Sequence, residues 1–194
     1  MASAEAVAAV IEAGGAHVPA LLDRLEVRLA EVAASHGAVL AEHAGATISA
    51  GGKRLRPLLV FVAAGSASDG VLRAAVAVEL VHSATLVHDD VLDAASLRRG
   101  QPTVWATGGR EAAVVTGDHL FARAFSELAA NGDTEQVRIL SRASSALAEG
   151  ELLQREDAFR VPSEERYLQR CELKTARLFE AACELGDPAL GLLG

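Results

Sequence analysis

The chain has 194 residues and a formal net charge of −8, with 51% hydrophobic and only 4% aromatic residues. This length allows one domain with a substantial core, and the acidic balance argues against broad binding to nucleic acid. Ala, Leu and Val dominate, which favours packed helices over sheets. The two cysteines, Cys171 and Cys183, fall in one predicted helix and lie roughly 18 Å apart, too far for a disulfide. We therefore expect a reducing, cytoplasmic location.

Hydrophobic periodicity and Gly or Pro boundaries predict seven or eight helices and no convincing strand. The helical stretches are 3–12, 19–36, 38–49, 58–64, 71–91, 110–130, 134–157 and 164–185, with a short helical turn at 103–107. The Ala-rich N-terminus has no basic segment, so it does not resemble a signal peptide. We also expect no uninterrupted apolar stretch long enough to cross a bilayer. Together these features predict an all-α single domain with short connections.

A basic segment, Gly51 to Pro57, reads GGKRLRP. Its two glycines allow the backbone to approach a ligand closely, and Lys53, Arg54 and Arg56 supply three cations. Such a turn beside a helix N-terminus suits a phosphate, although the ending of a P-loop is missing. Taken alone, an ordinary basic loop between helices would explain the same residues.

An Asp-Asp-x-x-Asp cluster, Asp89, Asp90 and Asp93, ends the apolar helix 71–91, for which Asp69 is the candidate N-cap. Residues four apart lie on one helix face, so Asp89 and Asp93 point the same way. Neighbouring carboxylates repel each other, and Mg²⁺ would offset that repulsion.

Cationic and titratable groups surround this cluster in the sequence. His82 lies two helical turns before Asp89, and Arg98 and Arg99 follow Asp93 closely. Guanidinium groups bind phosphate through paired hydrogen bonds. The pattern predicts a Mg²⁺–diphosphate site, and the alternative is a solvated acidic helix end that the arginines neutralise.

Five segments, in chain order, resemble the trans-type polyprenyl diphosphate synthases. They are GGKRLRP at 51–57, HDDVLD at 88–93, SLRRGQPT at 96–103, GDHLFARAF at 117–125 and KTARLFE at 174–180. The resemblance implies an isoprenoid-synthase-type bundle of antiparallel helices around a central cavity, as one domain over 1–194. It also implies a homodimeric, Mg²⁺-dependent prenyltransferase that joins isopentenyl diphosphate to an allylic diphosphate.

The resemblance further implies roles for individual residues. Those expected to hold isopentenyl diphosphate are Lys53, Arg56, His82 and Arg99. Those expected to bind Mg²⁺ are Asp89 and Asp93, with Asp90 in support. Those expected to contact the allylic diphosphate are Arg98, Lys174 and Thr175. The catalytic set is then Asp89, Asp93 and Lys174.

Product length should follow from the depth of the cavity below Asp89. In the family that the chain resembles, bulky residues one turn upstream stop growth early. Val81, Ala84 and Thr85 are small or modest at these positions. The sequence therefore predicts a product longer than fifteen carbons.

One feature departs from the resemblance. The family carries a second Asp-rich motif beyond the Lys-Thr segment, whereas this sequence has one Asp-Asp pair, at 89–90. We therefore expect the C-terminal part with that motif to be missing from the 194 residues. Two alternatives to the enzyme stay open: a non-catalytic partner subunit or inactive fragment of such an enzyme, and a helical anion-binding scaffold.

Overall fold

Nine α-helical segments account for most of residues 2–193, which are the residues that this computed structural model of the protein describes. Met1 and Gly194, the two ends of the predicted domain, lie outside them. The helices are α1 Ala2–Ala13, α2 His17–Ala34, α3 Ala38–Ser49, α4 Leu55–Ala64, α5 Asp69–Leu92, α6 Val104–Ala129, α7 Thr134–Glu156, α8 Glu164–Cys171 and α9 Arg177–Gly186. The prediction of an all-α fold is confirmed.

The N-terminus of α5 differs by one residue from the prediction. Ser68, not Asp69, is the N-cap, and its side chain accepts a hydrogen bond from the Val71 amide at 3.2 Å. Asp69 is the first helical residue and instead receives a hydrogen bond from Arg24, at 2.6 Å. An acidic residue in the first turn still stabilises the helix through its dipole.

A short hairpin contradicts the expectation that strands are absent. Strands β1 Leu97–Arg98 and β2 Gln101–Pro102 pair antiparallel, and the turn between them has positive φ at Arg99 and Gly100. Two-residue strands are too short to leave an alternating pattern in the sequence. A turn with positive φ at both central residues matches the twist of such a hairpin.

Helix α6 joins two stretches that the sequence separates. The predicted turn at 103–107 and the predicted helix at 110–130 belong to one helical segment, kinked at Gly109, where φ is 78°. Thr103 caps the first turn, because its hydroxyl accepts a hydrogen bond from the Ala106 amide at 3.1 Å. Glycine allows the left-handed conformation that produces the kink.

Helix α5 lies at the centre of one hydrophobic core, packed against α2, α4, α6 and α9. By length and composition alone, α5 could cross a membrane, and so could α1 and α2 as one bent pair, contrary to our expectation. In α5, 67% of the apolar window is buried inside the structure, as in an ordinary core helix. The single domain over 1–194 stays a prediction, which this shared core supports.

The predicted helix 164–185 contains a π-turn, Glu172–Ala176, between α8 and α9. Ser163 caps its start, accepting a hydrogen bond from the Arg166 amide at 3.3 Å. Single π-turns inside α-helices are frequent at functional sites. A 3₁₀ helix, Pro188–Leu193, follows α9.

Candidate active site

A cavity of about 550 Å³ opens between α5, α7 and the α8–α9 segment, with α6 behind it. Its middle is apolar, with Leu86, Phe121, Leu147, Ala148 and Leu178 in the wall. Its charged and polar groups are Arg56, His82, His88, Asp89, Glu151, Arg155, Lys174 and Thr175. A largely apolar pocket with a few convergent ionic groups is the usual form of a site for a small amphipathic ligand.

Carboxylates and cations alternate at one end of the cavity, which we call the acid end: Asp89, Asp93, Glu151, Arg155 and Lys174. The Lys174 ammonium contacts Glu151 and lies 3.7 Å from Asp89 Oδ2. Arg155 lies 3.2 Å from Glu151 and 3.8 Å from Asp93. Here two protein cations partly neutralise three carboxylates.

Asp89 is a half-buried carboxylate of the acid end, with its side chain 20% exposed. Burial raises the pKa of its carboxyl group, nearby Lys174 lowers it, and Glu151 and Asp93 raise it further. The net direction of the pKa shift is upward, because burial and two neighbouring acids outweigh the charges of Lys174 and Arg98. The protein therefore neutralises the Asp89 carboxylate incompletely, and an additional cation beside it would stabilise its charged form.

Asp90 lies apart from the cavity, although it is a neighbour of Asp89 in the sequence. Its carboxylate is buried, accepts a hydrogen bond from Arg98 Nε at 2.9 Å, and lies 2.8 Å from Arg98 Nη2 in the same ion pair. This pair ties the end of α5 to the hairpin. Among residues whose side chains are described, no three His, Cys, Asp or Glu groups gather into a metal-binding set. The predicted set of Asp89, Asp90 and Asp93 is thus not brought together.

Guanidinium groups surround His82 at the other end of the site, which we call the basic end. It comprises Lys53, Arg56, His82, Arg98 and Arg99. Burial, and then the charges of Arg56, Arg99, Arg98 and Arg54 in that order, lower the pKa of His82 to about 3. His82 is therefore a neutral hydrogen-bonding group at physiological pH.

Arg56 projects into the cavity from the first turn of α4. Its guanidinium lies 4.4 Å from the centre of the Phe179 ring, and its Nε is buried without a hydrogen-bond partner in the described structure. Burial lowers the pKa of this group, although Glu79 opposes the shift. A buried donor without a partner carries a cost that an anionic ligand would remove.

The hairpin brings Arg99 against the glycine segment. A Cβ atom on Gly52 would lie 3.1 Å from Arg99 Nη1, so the absence of a side chain there permits the close packing. Lys53 is exposed beside this contact. The segments 51–57 and 97–102, distant in sequence, thus form one basic surface.

Two of the three predicted chain-length residues do not reach the cavity. Val81 and Ala84 are fully buried in the helical core, whereas Thr85 lines the wall. The aromatic wall residue is Phe121, whose ring stacks on His88 with 5.9 Å between ring centres. Sequence reasoning placed Phe121 in a motif but gave no indication of which face it occupies.

Glu151 and Gln154 were also missed, because an acidic helix face is ordinarily solvated. Both accept hydrogen bonds from Lys174, Gln154 at 3.2 Å. Gly150, in the middle of α7, is the signal that could have indicated the contact. A Cβ atom there would lie 2.8 Å from the Lys174 backbone nitrogen, so α7 needs glycine where the π-turn packs.

The fold and the site define a class of protein, the isoprenoid synthases. The structure superimposes on a decaprenyl diphosphate synthase from Rhodobacter capsulatus with a TM-score of 0.86, at 35% identity over 94% of this chain and 57% of that one. It superimposes equally well on a polyprenyl synthase from Caulobacter crescentus, complexed with calcium and isoprenyl diphosphate. That TM-score is 0.87, at 37% identity over 94% of this chain and 56% of the other.

Sequence comparison is more specific. The model of the polyprenyl synthetase family matches residues 38–192, and the chain therefore belongs to this family. It is 40% identical, over 88% of its length, to heptaprenyl diphosphate synthase component 2 of Geobacillus stearothermophilus, and covers 54% of that protein. It is 39% identical, over 71% of its length, to octaprenyl diphosphate synthase of Escherichia coli, and covers 44% of it. The chain thus spans about half the length of the curated relatives it matches.

Proposed function

We propose that the protein is a polyprenyl diphosphate synthase, which condenses isopentenyl diphosphate with an allylic diphosphate. The observation that carries the proposal is the placement of two ionic ends, one of carboxylates and one of guanidinium groups, around one apolar cavity. Two diphosphates and one growing hydrocarbon chain need such an arrangement. Family membership and the names of the relatives support it.

The basic end would hold isopentenyl diphosphate. Lys53, Arg56 and Arg99 supply positive charge, and neutral His82 supplies a hydrogen bond without adding repulsion. Arginine binds phosphate oxygens through paired hydrogen bonds. The buried Nε of Arg56 is one donor that this ligand would satisfy.

The acid end would hold the allylic diphosphate together with divalent cations. Asp89 and Asp93 are the residues proposed to bind Mg²⁺, an ion that commonly takes one or two protein carboxylates and completes its shell with water and phosphate oxygens. The raised pKa of Asp89 fits this donor set, because the carboxylate gains from an added cation. When bound, Mg²⁺ neutralises charge on the departing diphosphate.

The remaining steps follow from the positions of the protein groups. Lys174 and Thr175 border the cavity beside Asp89, where Lys174, with Arg98, would stabilise negative charge as the allylic C–O bond breaks. The double bond of isopentenyl diphosphate then attacks the allylic carbon, and the released diphosphate takes the proton lost from the new cation. Apolar walls, including Leu86 and Leu147, exclude the water that would trap the carbocation.

The product is proposed to exceed fifteen carbons. The wall position Thr85 is small, and the lining also includes Leu147 and the small Ser144 of α7. We assign the length control of this wall to Phe121 as well as Thr85, since Val81 and Ala84 are buried behind it.

A prenyl-transfer assay tests the proposal. The protein is incubated with Mg²⁺, isopentenyl diphosphate and farnesyl diphosphate, and products are identified by mass spectrometry. We expect longer prenyl diphosphates, and none from Asp93→Ala. Binding of both substrates without turnover would contradict the activity of this chain while leaving the site assignment standing.

A second candidate is a subunit that acts only with a partner. The observation in its favour is that one relative is named component 2 of a heptaprenyl diphosphate synthase. The intact sets at both ends of the cavity argue against a non-catalytic partner subunit, which needs neither, but a catalytic subunit that acts only with a partner would keep both. Turnover that appears only after addition of a second polypeptide would decide for the candidate subunit.

Assembly and location are proposed on the family resemblance. We propose a homodimer, which light scattering after gel filtration tests, and a cytoplasmic location, which fits the two free thiols at Cys171 and Cys183. A monomeric mass at working concentration would contradict the first proposal.

A further inference from the structure

We propose that Arg54 is a positioning residue. It fixes the segment Gly51–Arg56, which comprises the loop before α4 and the first two residues of that helix, and thereby sets the affinity for the diphosphate at the basic end. This inference rests on the proposed function, which places a diphosphate there. The sequence suggests that Arg54 is simply the third cation of the phosphate cradle. The structure turns its side chain the other way, into the protein.

The hydrogen bonds of Arg54 account for most of its donors. Its Nε and Nη2 donate to the two carboxylate oxygens of Glu26 at 2.7 Å and 3.1 Å. Its Nη1 donates to Glu79 at 2.7 Å, and Nη2 also donates to the Ile48 carbonyl at 3.0 Å. A guanidinium group has five N–H donors, so one is left, too few for a paired grip on a phosphate.

These partners belong to three different helices. Glu26 lies on α2, Ile48 near the end of α3, and Glu79 in the middle of α5. The Arg54 side chain is 10% exposed and that of Glu79 only 6% exposed, so their ion pair is enclosed by protein. Removing one member of a buried pair leaves the other charged and unsatisfied. The loop between α3 and α4 is therefore fastened to the core at Arg54.

The backbone at Arg54 is unusual in the same place. Its φ of 48° and ψ of 38° lie in the left-handed region, which a residue with a Cβ atom disfavours. The Arg54 carbonyl accepts the first hydrogen bond of α4, from the Leu58 amide at 2.9 Å. Relaxation of Arg54 towards an ordinary conformation would turn Lys53, on one side, away from Arg56, on the other. The side-chain bonds oppose that relaxation.

A second Arg–Glu pair, with a half-exposed arginine and a buried glutamate, provides a control. Arg28, on the same helix as Glu26, donates to Glu127 of α6 at 2.8 Å, and the Glu127 side chain is 3% exposed. This pair joins two helices as the Arg54 pair does, but it touches neither the glycine loop nor the cavity lining. Its loss should destabilise the fold without moving the loop.

The test uses the full chain and isothermal titration with isopentenyl diphosphate. We expect Arg54→Met to bind at least tenfold more weakly than the wild type and Arg28→Met to bind within twofold. The melting temperature should fall more for Arg54→Met, because Glu127 keeps Arg123 at 3.6 Å when Arg28 is replaced. Arg54→Lys keeps the positive charge but lacks the branched guanidinium group, so its affinity for isopentenyl diphosphate should lie between those of the wild type and Arg54→Met. If Arg54→Met does not fold, Glu26→Gln takes its place, because Glu26 is a half-exposed partner of Arg54 and its replacement should cost less stability.

Hydrogen exchange of the loop amides provides a readout independent of the ligand. Residues 51–55 should exchange faster in Arg54→Met than in the wild type or Arg28→Met. If the wild type binds no isopentenyl diphosphate, the proposed function of the basic end is what fails, and the exchange result still decides the role of Arg54. Equal weakening by Arg54→Met and Arg28→Met, or an unchanged exchange rate at 51–55, overturns the proposal.

Discussion

The two ends of the cavity both hold charged groups beside an apolar space, but they hold them in different ways. The basic end is built by the fold: Arg56 is held against Phe179, and the hairpin places Arg99 against Gly52. At the acid end, Lys174 contacts Asp89 and Glu151, and Arg155 contacts Glu151 and Asp93, so two cations bridge carboxylates that repel one another. The basic end is thus assembled by protein contacts, although the buried Arg56 Nε still lacks a hydrogen-bond partner, whereas the acid end gains from a further cation. Substitutions at the two ends should therefore have different costs for stability and for turnover.

The largest expected effect is at Asp89. Asp89→Asn should lower prenyl transfer by about a hundredfold or more, the scale of losing one preorganised electrostatic group. It should leave the melting temperature at pH 7 unchanged or higher, because a carboxyl group with a raised pKa destabilises the fold in its charged form. Prenyl-transfer assays and thermal melts check these two expectations. Asp23→Asn, at an exposed position of α2, is the control. A clear loss of stability would contradict the incomplete neutralisation of the acid end.

The next effect is expected at Gly150. Gly150→Ala places a Cβ atom 2.8 Å from the Lys174 backbone nitrogen, so the π-turn must shift. We expect tenfold or greater loss of activity and about 1–3 kcal/mol of destabilisation, the usual cost of overpacking. Gly45→Ala, with open space around the new methyl group, should instead stabilise α3 by about 0.5–1 kcal/mol. Equal behaviour of the two variants in urea unfolding would show that the close approach at Gly150 is unimportant.

The basic end predicts an acid sensitivity of the fold. The unfolded chain protonates His82 near its ordinary pKa of 6.5, whereas the folded protein does so only near a pKa of about 3. Between these values the unfolded state binds more protons, so stability falls as the pH falls. This residue should account for a loss of about 2 kcal/mol between pH 7 and pH 5.

Urea unfolding of the wild type and His82→Gln at both pH values measures this contribution. The variant should lose less stability on acidification than the wild type. Parallel loss in the two proteins would mean that His82 is protonated in the fold, and would remove the neutral donor from the basic end.

The smallest effect is expected at the wall between the two ends. Phe121→Leu removes an aromatic ring from the cavity lining and should lengthen the main product by at least one isoprene unit. Val81→Ala, in the core behind the wall, should destabilise the protein by about 1 kcal/mol without changing product length. Mass spectrometry of the products separates these outcomes, and a shift for Val81 alone would restore the original assignment.

Sequence patterns predict the features that depend on residues near one another in the chain, such as helices and their ends. Helical periodicity and Gly or Pro boundaries predicted the helices. The apolar run before Asp89 predicted that the acidic cluster lies at the end of a helix, and Asp93 is the C-cap of α5. These patterns did not reveal that Asp90 turns to Arg98, or that Arg54 turns into the core, because a side chain's direction depends on what other elements bring to it. The same holds for Glu151: its sequence neighbours are those of a solvated acid, whereas the fold brings Lys174 of the π-turn beside it.

The measurement that tests the two-ended site most directly is calorimetric binding of each substrate with and without Mg²⁺. Isopentenyl diphosphate should bind equally well in both conditions and fail to bind Arg56→Met. A non-reactive thio analogue of farnesyl diphosphate should bind only with Mg²⁺ and fail to bind Asp89→Asn. If both ligands need Mg²⁺, or if Asp89→Asn weakens the binding of both equally, the division into a metal-independent basic end and a cation-dependent acid end is wrong.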